Sequence, residues 1–245
     1  MNQALLPIVR STLIDALRRR DLGVVAILMW ALLILLVAAR MVGLEQPTTG
    51  TFLLNLSLTL VTFSAHMIAL LVSARQLPEE WENRTLYPLL ARPVARGTVV
   101  LGKWAGATVM GCGIFIGLLV PVWALVPQLE FYDPRTLAQL ITLQPLALMC
   151  TAAIPILCTL YLQRALAVSV ALVLVFGADF MARWAERFPL LYLLPNPLRL
   201  NLVLRYTDGI GPLPAGDFIT LALAALLWTT ALLIQSILRF ERRPL

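Results

Sequence analysis

Few side chains in the apolar stretches of this sequence could do chemistry. They are His66, the single histidine; Asp179, within FGADF; and three cysteines, Cys112, Cys150 and Cys158. A metal site needs several ligands at close spacing, and neither a second histidine nor a C-x-x-C pair is present, so no metal centre is expected. Hydrolysis by paired carboxylates needs two acids sharing one site, and no second Asp lies inside an apolar run. A serine nucleophile fares no better, because the sequence lacks G-x-S-x-G and His66 has no evident acid partner. A G-x-x-x-x-G-K-[ST] phosphate loop is also missing, so this chain is not expected to hold ATP itself by that motif. The three cysteines, an odd number in apolar surroundings, read as packing residues rather than a disulfide framework. His66 and Asp179 remain as candidates for a substrate route, since ionisable groups within a membrane are costly and functional by default. Asp179 has a blander reading, pairing with Arg183 one turn on.

Those residues sit in a chain of 245 residues that is 60% hydrophobic and 13% charged. Its mean hydropathy is +0.86. Such a composition, with repeated apolar runs of about 18 or more residues, specifies an all-α integral membrane protein. Six spans are expected, near 22–42, 51–74, 99–126, 137–162, 165–181 and 217–238. An N-terminal segment, 1–21, precedes them. On a helical wheel Leu6, Val9, Leu13 and Leu17 oppose Asp15, Arg18 and Arg19, the pattern of an amphipathic helix lying in the interface, with Arg10 as the exception. This segment is longer than a signal-peptide n-region and no A-x-A site follows, so the first span is expected to stay as an anchor. Residues 182–216, between the last two spans, are expected to dip into the outer leaflet as a re-entrant segment, which needs protein around it.

The arginines orient the chain. The N-terminal segment, residues 75–103, Arg164 and the RFERRPL tail hold about two-thirds of the Lys and Arg, which the positive-inside rule assigns to the cytoplasm. Both termini are then cytoplasmic. Arg183, Arg187, Arg199 and Arg205 depart from the rule, in a long outer segment where it is weakest. The net charge of +6 is thereby explained by membrane faces and lipid head groups, without nucleic acid as a partner. In the third span Gly102, Gly106, Gly113 and Gly117 form two G-x-x-x-G spacings, which admit a closely packed helix from the same chain or a second copy. Pro145 and Pro155 are expected to loosen the fourth span.

One charged island interrupts the oil: PEEWENRTLYPLLARPVARGTVVLGK, residues 78–103. Pro78 suits the first turn of a short helix whose Glu79, Glu80 and Glu82 would favour the positive end of its dipole. Trp81, Thr85 and Leu89 recur every four residues, giving a bulky face suited to a groove on a soluble partner. Lys103 is placed to snorkel towards the interface.

The order Glu82, Thr85, Leu86, Leu89, Leu90, Pro93, Val94, Arg96, Leu101, Gly102, Lys103 resembles the signature of type 2 ABC transporter permeases, the six-helix export class. Arg84 stands where many members have Gly before the Thr-Leu pair. The resemblance extends to the interfacial N-terminal helix, the LLPNP segment and the F-E-R-R ending. It implies a single permease domain comprising the interfacial helix (1–21), two spans (22–74), a cytoplasmic coupling-helix loop (75–98), three spans (99–181), the outer segment (182–216) and the last span with its tail (217–245). It also implies that Glu79, Glu80, Trp81, Glu82, Arg84, Thr85, Leu86 and Leu89 meet a separate ABC ATPase subunit, with Pro93, Arg96, Gly102 and Lys103 as supporting motif positions. ATP and Mg2+ would bind that partner, two permeases would pair in the bacterial cytoplasmic membrane, and the chain itself would be no enzyme. The substrate would be exported, and a route lined by Leu, Val, Ala, Met and Phe favours amphipathic or lipid-like cargo. The rival is a secondary transporter or channel, which would show internal repeats and several buried charges near the midplane. The two halves show no repeat, and buried charges are scarce.

Overall fold

A computed structural model describes residues 2–18, 47–82, 95–125, 133–178 and 195–242, with the single positions 23, 27, 31, 34 and 38. Helix is the only regular structure among them. The elements are α1 (Asn2–Leu17), α2 (Pro47–Glu82), α3 (Arg96–Leu125), α4 (Pro134–Tyr161), α5 (Arg164–Phe176), a 3-10 turn (Pro197–Leu200), α6 (Val203–Thr207) and α7 (Ala215–Glu241). Among the described residues, four helices are long and apolar enough to cross a membrane, namely α2, α3, α4 and α7. They coincide with the expected second, third, fourth and last spans. The expected fifth begins as α5, a helix of 13 residues, and its remainder from Asp179 on lies outside the described residues. Of the expected first span only Gly23, Ile27, Ala31, Ile34 and Ala38 are described, and all five are helical and exposed. The expected re-entrant stretch is described only from residue 195 onward.

α2 departs from the expected plan. The sequence suggests a span ending near residue 74 and a new helix starting at Pro78, but one helix of 36 residues runs from Pro47 through Pro78 to Glu82. A proline inside a helix removes a donor and crowds the preceding turn, at a cost of about 3 kcal/mol or more. Packing holds the helix together across this point. Leu77 is fully buried, and Trp81 lies against Phe240 of α7 with ring centroids 6.0 Å apart. Glu79 and Glu80 therefore stand within one long helix, just beyond its proline, and each meets a cation of another helix.

α2 packs on α3 and α4, α4 packs on α7, α1 lies along α3, and α5 rests against α4 and α2. At one end of the bundle Ile8, Leu77, Val99, Val100, Ile156, Leu160 and Phe240 form an apolar cluster. Towards the other end Leu54, Leu58, Phe115, Val122, Leu143 and Tyr206 build a second core. There Asp133 caps α4 by accepting from the Arg135 backbone N–H at 3.1 Å, with Pro134 at the first helical position. The Gln139 amide donates to the Leu213 carbonyl at 3.0 Å and accepts from the Leu213 N–H at 2.7 Å. This two-bond grip ties the segment leading into α7 to α4.

The glycines of α3 divide by function. A Cβ on Gly102 would come within 2.7 Å of Ile8 Cγ2, and one on Gly106 within 2.5 Å of Thr12 Cγ2. That first G-x-x-x-G pair is the seat of α1. Gly113 and Gly117 are exposed, with nothing within 4 Å of their Cβ positions. The side of α1 turned to α3 carries Ile8, Thr12 and Ala16, all buried, while Leu6 and Leu17 open outward. The helical wheel identified the outward leucines and missed the packed row, because Ile8, Thr12 and Ala16 differ in polarity and share only their spacing.

Candidate functional site

Two polar constellations stand out in an otherwise apolar bundle, one at its charged end and one buried between helices. At the charged end, Lys103 Nζ meets Glu80 Oε1 at 2.5 Å, and Arg164 Nη2 meets Glu79 Oε1 at 2.7 Å. These ion pairs link the part of α2 beyond Pro78 to α3 on one side and to the first residue of α5 on the other. The Lys103 side chain is only 6% exposed and that of Glu80 28%, so the first pair is largely desolvated. Glu79 is 16% exposed beside a more open Arg164 at 38%. Breaking a buried pair by removing one partner leaves an uncompensated charge and typically costs about 3–5 kcal/mol, whereas an exposed pair contributes about 0–1 kcal/mol. Lys103–Glu80 is nearer the first regime. Beside it lie buried polar atoms with no hydrogen-bond partner among the described residues, Glu80 Oε2 and both amide atoms of Gln76 one turn earlier.

Arg96, at the start of α3, donates through Nη1 to the Glu241 carbonyl at 3.1 Å, and the Arg239 guanidinium lies 4.8 Å from the Tyr161 ring centroid. The ends of α2, α4 and α7 and the starts of α3 and α5 thus share one charged layer. Gly97, Gly102 and Lys103 have the spacing of a phosphate loop, but Trp104 follows where Ser or Thr is required. The whole stretch is helical, with Lys103 committed to Glu80. It is packing surface. Trp104 itself donates through Nε1 to the Met149 carbonyl of α4 at 2.9 Å.

The second constellation surrounds His66, which is fully buried on α2. Its Nδ1 lies 2.7 Å from Thr151 Oγ1 and its Nε2 lies 3.1 Å from Gln144 Nε2, both residues being on α4 and fully buried. The Thr151 hydroxyl already donates to the Ala147 carbonyl at 2.9 Å, so it accepts from an Nδ1–H. Nε2 then offers its lone pair to the Gln144 amide. This pattern uses a neutral imidazole with one tautomer. Gln144 Oε1 is left buried without a partner among the described residues. Nearby, Gly111 lets α3 approach so closely that a Cβ there would lie 2.9 Å from Ala69 Cβ.

The expected site residues therefore separate. Glu79, Glu80, Arg96, Gly102 and Lys103 gather at one end of the bundle, with Trp81 packed against α7. Glu82 closes α2. Arg84, Thr85, Leu86, Leu89 and Pro93 lie outside the described residues, as does Asp179. His66 sits inside the bundle, away from the charged layer's ion pairs. Its partners Gln144 and Thr151, which lie seven residues apart, two helical turns, on one face of α4, were not legible in the sequence. Nor did it single out Arg164 as a partner for Glu79. Among the described residues no group of three or more His, Cys, Asp or Glu side chains is placed to hold a metal ion.

A family model described as an ABC-2 family transporter protein matches residues 17–178. The matched region covers the charged island, the His66 network and both ion pairs. The chain is also similar to a protein of Pseudomonas aeruginosa (strain PAO1) called "Probable ABC transporter permease protein NosY", with 35% identity over 137 residues. That alignment takes in 50% of this chain and 47% of the relative, so the chain spans about half the length of the curated relative it matches.

Proposed function

Because the chain belongs to the ABC-2 family of transporter proteins, we propose that it is the membrane-embedded permease subunit of an ATP-driven exporter whose ATPase is a separate chain. The observation that carries this reading is the charged layer at one end of the bundle. There α2, described as far as Glu82, and the start of α3 at Arg96 are anchored by packing and by ion pairs or hydrogen bonds. The Thr85, Leu86 and Leu89 positions of the family signature follow α2 and precede α3 in the sequence, so a soluble ATPase docked on them would act on the two membrane helices that join this layer. In this reading the charged layer is cytoplasmic, ATP and Mg2+ bind the partner, and two permease copies enclose the export route in the bacterial cytoplasmic membrane. The cargo is amphipathic or lipid-like, in keeping with apolar helix faces.

The test is co-purification after mild detergent extraction. The natural chain is expected to bring down an ATP-hydrolysing subunit, and a Glu82→Arg, Leu86→Glu variant to lose it while still reaching the membrane. A natural chain that purifies without any nucleotide-hydrolysing protein would remove the central support for this function.

A further inference from the structure

At the end of the bundle opposite the charged layer, where α4 and α7 start, Gln139, Leu213, Ala215, Phe218 and Ile219 line a cavity of about 240 Å³. Leu213 and Phe218 pack on the second core, so the inner side is apolar. The segment before α7 is built with little freedom. Gly209 and Gly211 hold left-handed backbone, at φ 65° and 88°, and Arg205 donates through Nε to the Gly211 carbonyl at 2.7 Å. Gln139 then fixes Leu213 by two bonds, and in doing so spends both ends of its amide. Gln139 is the one polar side chain among the five that line the cavity. A polar occupant would give up hydration and find no side-chain donor or acceptor left to replace it, whereas an apolar one loses nothing. An apolar cavity of about 150 Å³ takes up benzene, so this one has room for a stretch of hydrocarbon.

The surroundings say which hydrocarbon. Ile219 is 54% exposed, and Leu223, Leu226 and Leu227 follow it on the same open side of α7, a helix apolar enough to cross a membrane. The lining is therefore continuous with a surface that meets lipid tails. α7 has 27 residues. At 1.5 Å each it measures about 40 Å, more than the roughly 30 Å of hydrocarbon, so its first turn lies at the rim where an acyl chain leaves its head group. A helix from a second copy, about 10–12 Å in diameter, is too wide for a recess of this volume, while a single chain is not. We infer that the cavity is a resident-lipid site, which holds one acyl chain of a membrane phospholipid between the starts of α4 and α7. The inference needs α7 to span the membrane and does not depend on coupling to an ATPase.

The experiment places the full chain in vesicles of phosphatidylcholine and phosphatidylglycerol, with a small fraction of phosphatidylcholine carrying a diazirine in one acyl chain. After illumination the adducts are mapped by mass spectrometry. Leu227 is the reference, because at 69% exposure it meets bulk lipid more freely than Ile219 does. Adducts at Leu213, Phe218 and Ile219 are expected several-fold above those at Leu227, and they should saturate as the labelled fraction rises. Ala215→Trp, which fills the cavity from an exposed position, should bring them down to the Leu227 level and leave Leu227 itself unchanged. If the bulky variant also disturbs Leu227, the smaller Ala215→Leu is judged in the same way. Adducts that simply follow exposure would mean ordinary surrounding lipid and overturn the site. So would enrichment that survives Ala215→Trp, labelling by a diazirine fatty acid in preference to the phospholipid, or cross-links at these positions between two copies of the chain. A chain without adducts at Leu227 as well would refute the spanning of α7, and the site with it.

Discussion

Lys103 shows how a single residue changes meaning once its neighbours are known. By position it is a lysine near a membrane interface, placed to extend its ammonium towards water. In the fold it is buried against Glu80, one helix away. Lys103→Met is expected to lower stability by about 3 kcal/mol, because Glu80 would be left charged and unpaired. Lys103→Met combined with Glu80→Leu should recover much of that loss, since it removes both charges. Thermal unfolding in detergent of the two single variants and the double checks this, and equal, additive losses would contradict the pairing. His66 makes a parallel case. Replacing it with Leu strands Gln144 Nε2 and forfeits the acceptance at Thr151, with an expected cost of about 1–3 kcal/mol. His66→Leu with Gln144→Leu should be less destabilised than His66→Leu alone, a comparison read from the same melting curves.

At the scale of the element, the glycines of α3 and the continuity of α2 decide how the helices meet. Gly106→Leu is expected to push α1 off α3, because its Cβ alone would already collide with Thr12. Amide exchange along α1 measures this: it should be slow in the natural protein and quicken sharply with Gly106→Leu. Gly117→Leu, which meets open space, should leave it unchanged. Gln139→Ala is expected to release the segment before α7 without unfolding the bundle, since both bonds to Leu213 disappear while the apolar contacts persist. Faster amide exchange at Leu213, with exchange at Leu143 unaffected, is the outcome to look for. Much of the element plan was legible in sequence because apolar run length dictates a spanning helix whatever packs on it. The continuation of α2 across Pro78 was not. A proline's cost can be read locally, but the compensating burial of Leu77 and the contact of Trp81 with Phe240 come from helices far along the chain.

For the whole molecule, the arrangement of ends yields a topological prediction. The charged layer of Glu79, Arg96, Lys103, Arg164 and Arg239 and the opposite end, with Asp133 and Gly211, should be reached from different sides of the membrane. Cysteines introduced at Arg239 and at Arg135 in a cysteine-free background, treated with an impermeant maleimide on intact cells, should label only at 135. Labelling at 239 alone would reverse the proposed orientation, and labelling of both would refute the placement of the two ends on opposite sides. The sequence by itself determined the class of this protein, the places of its long apolar helices, the charged island and the family to which that island belongs. These follow from composition, run length and a contiguous motif, properties that do not depend on what folds against what. Only the tertiary structure decided that Gly102 and Gly106 seat α1, that His66 is held by Gln144 and Thr151, and that Glu79 and Glu80 face Arg164 and Lys103. Each of those is a contact between segments distant in the chain. Hydropathy and periodicity describe which face of a helix is apolar, and they carry no information about which other helix will cover it.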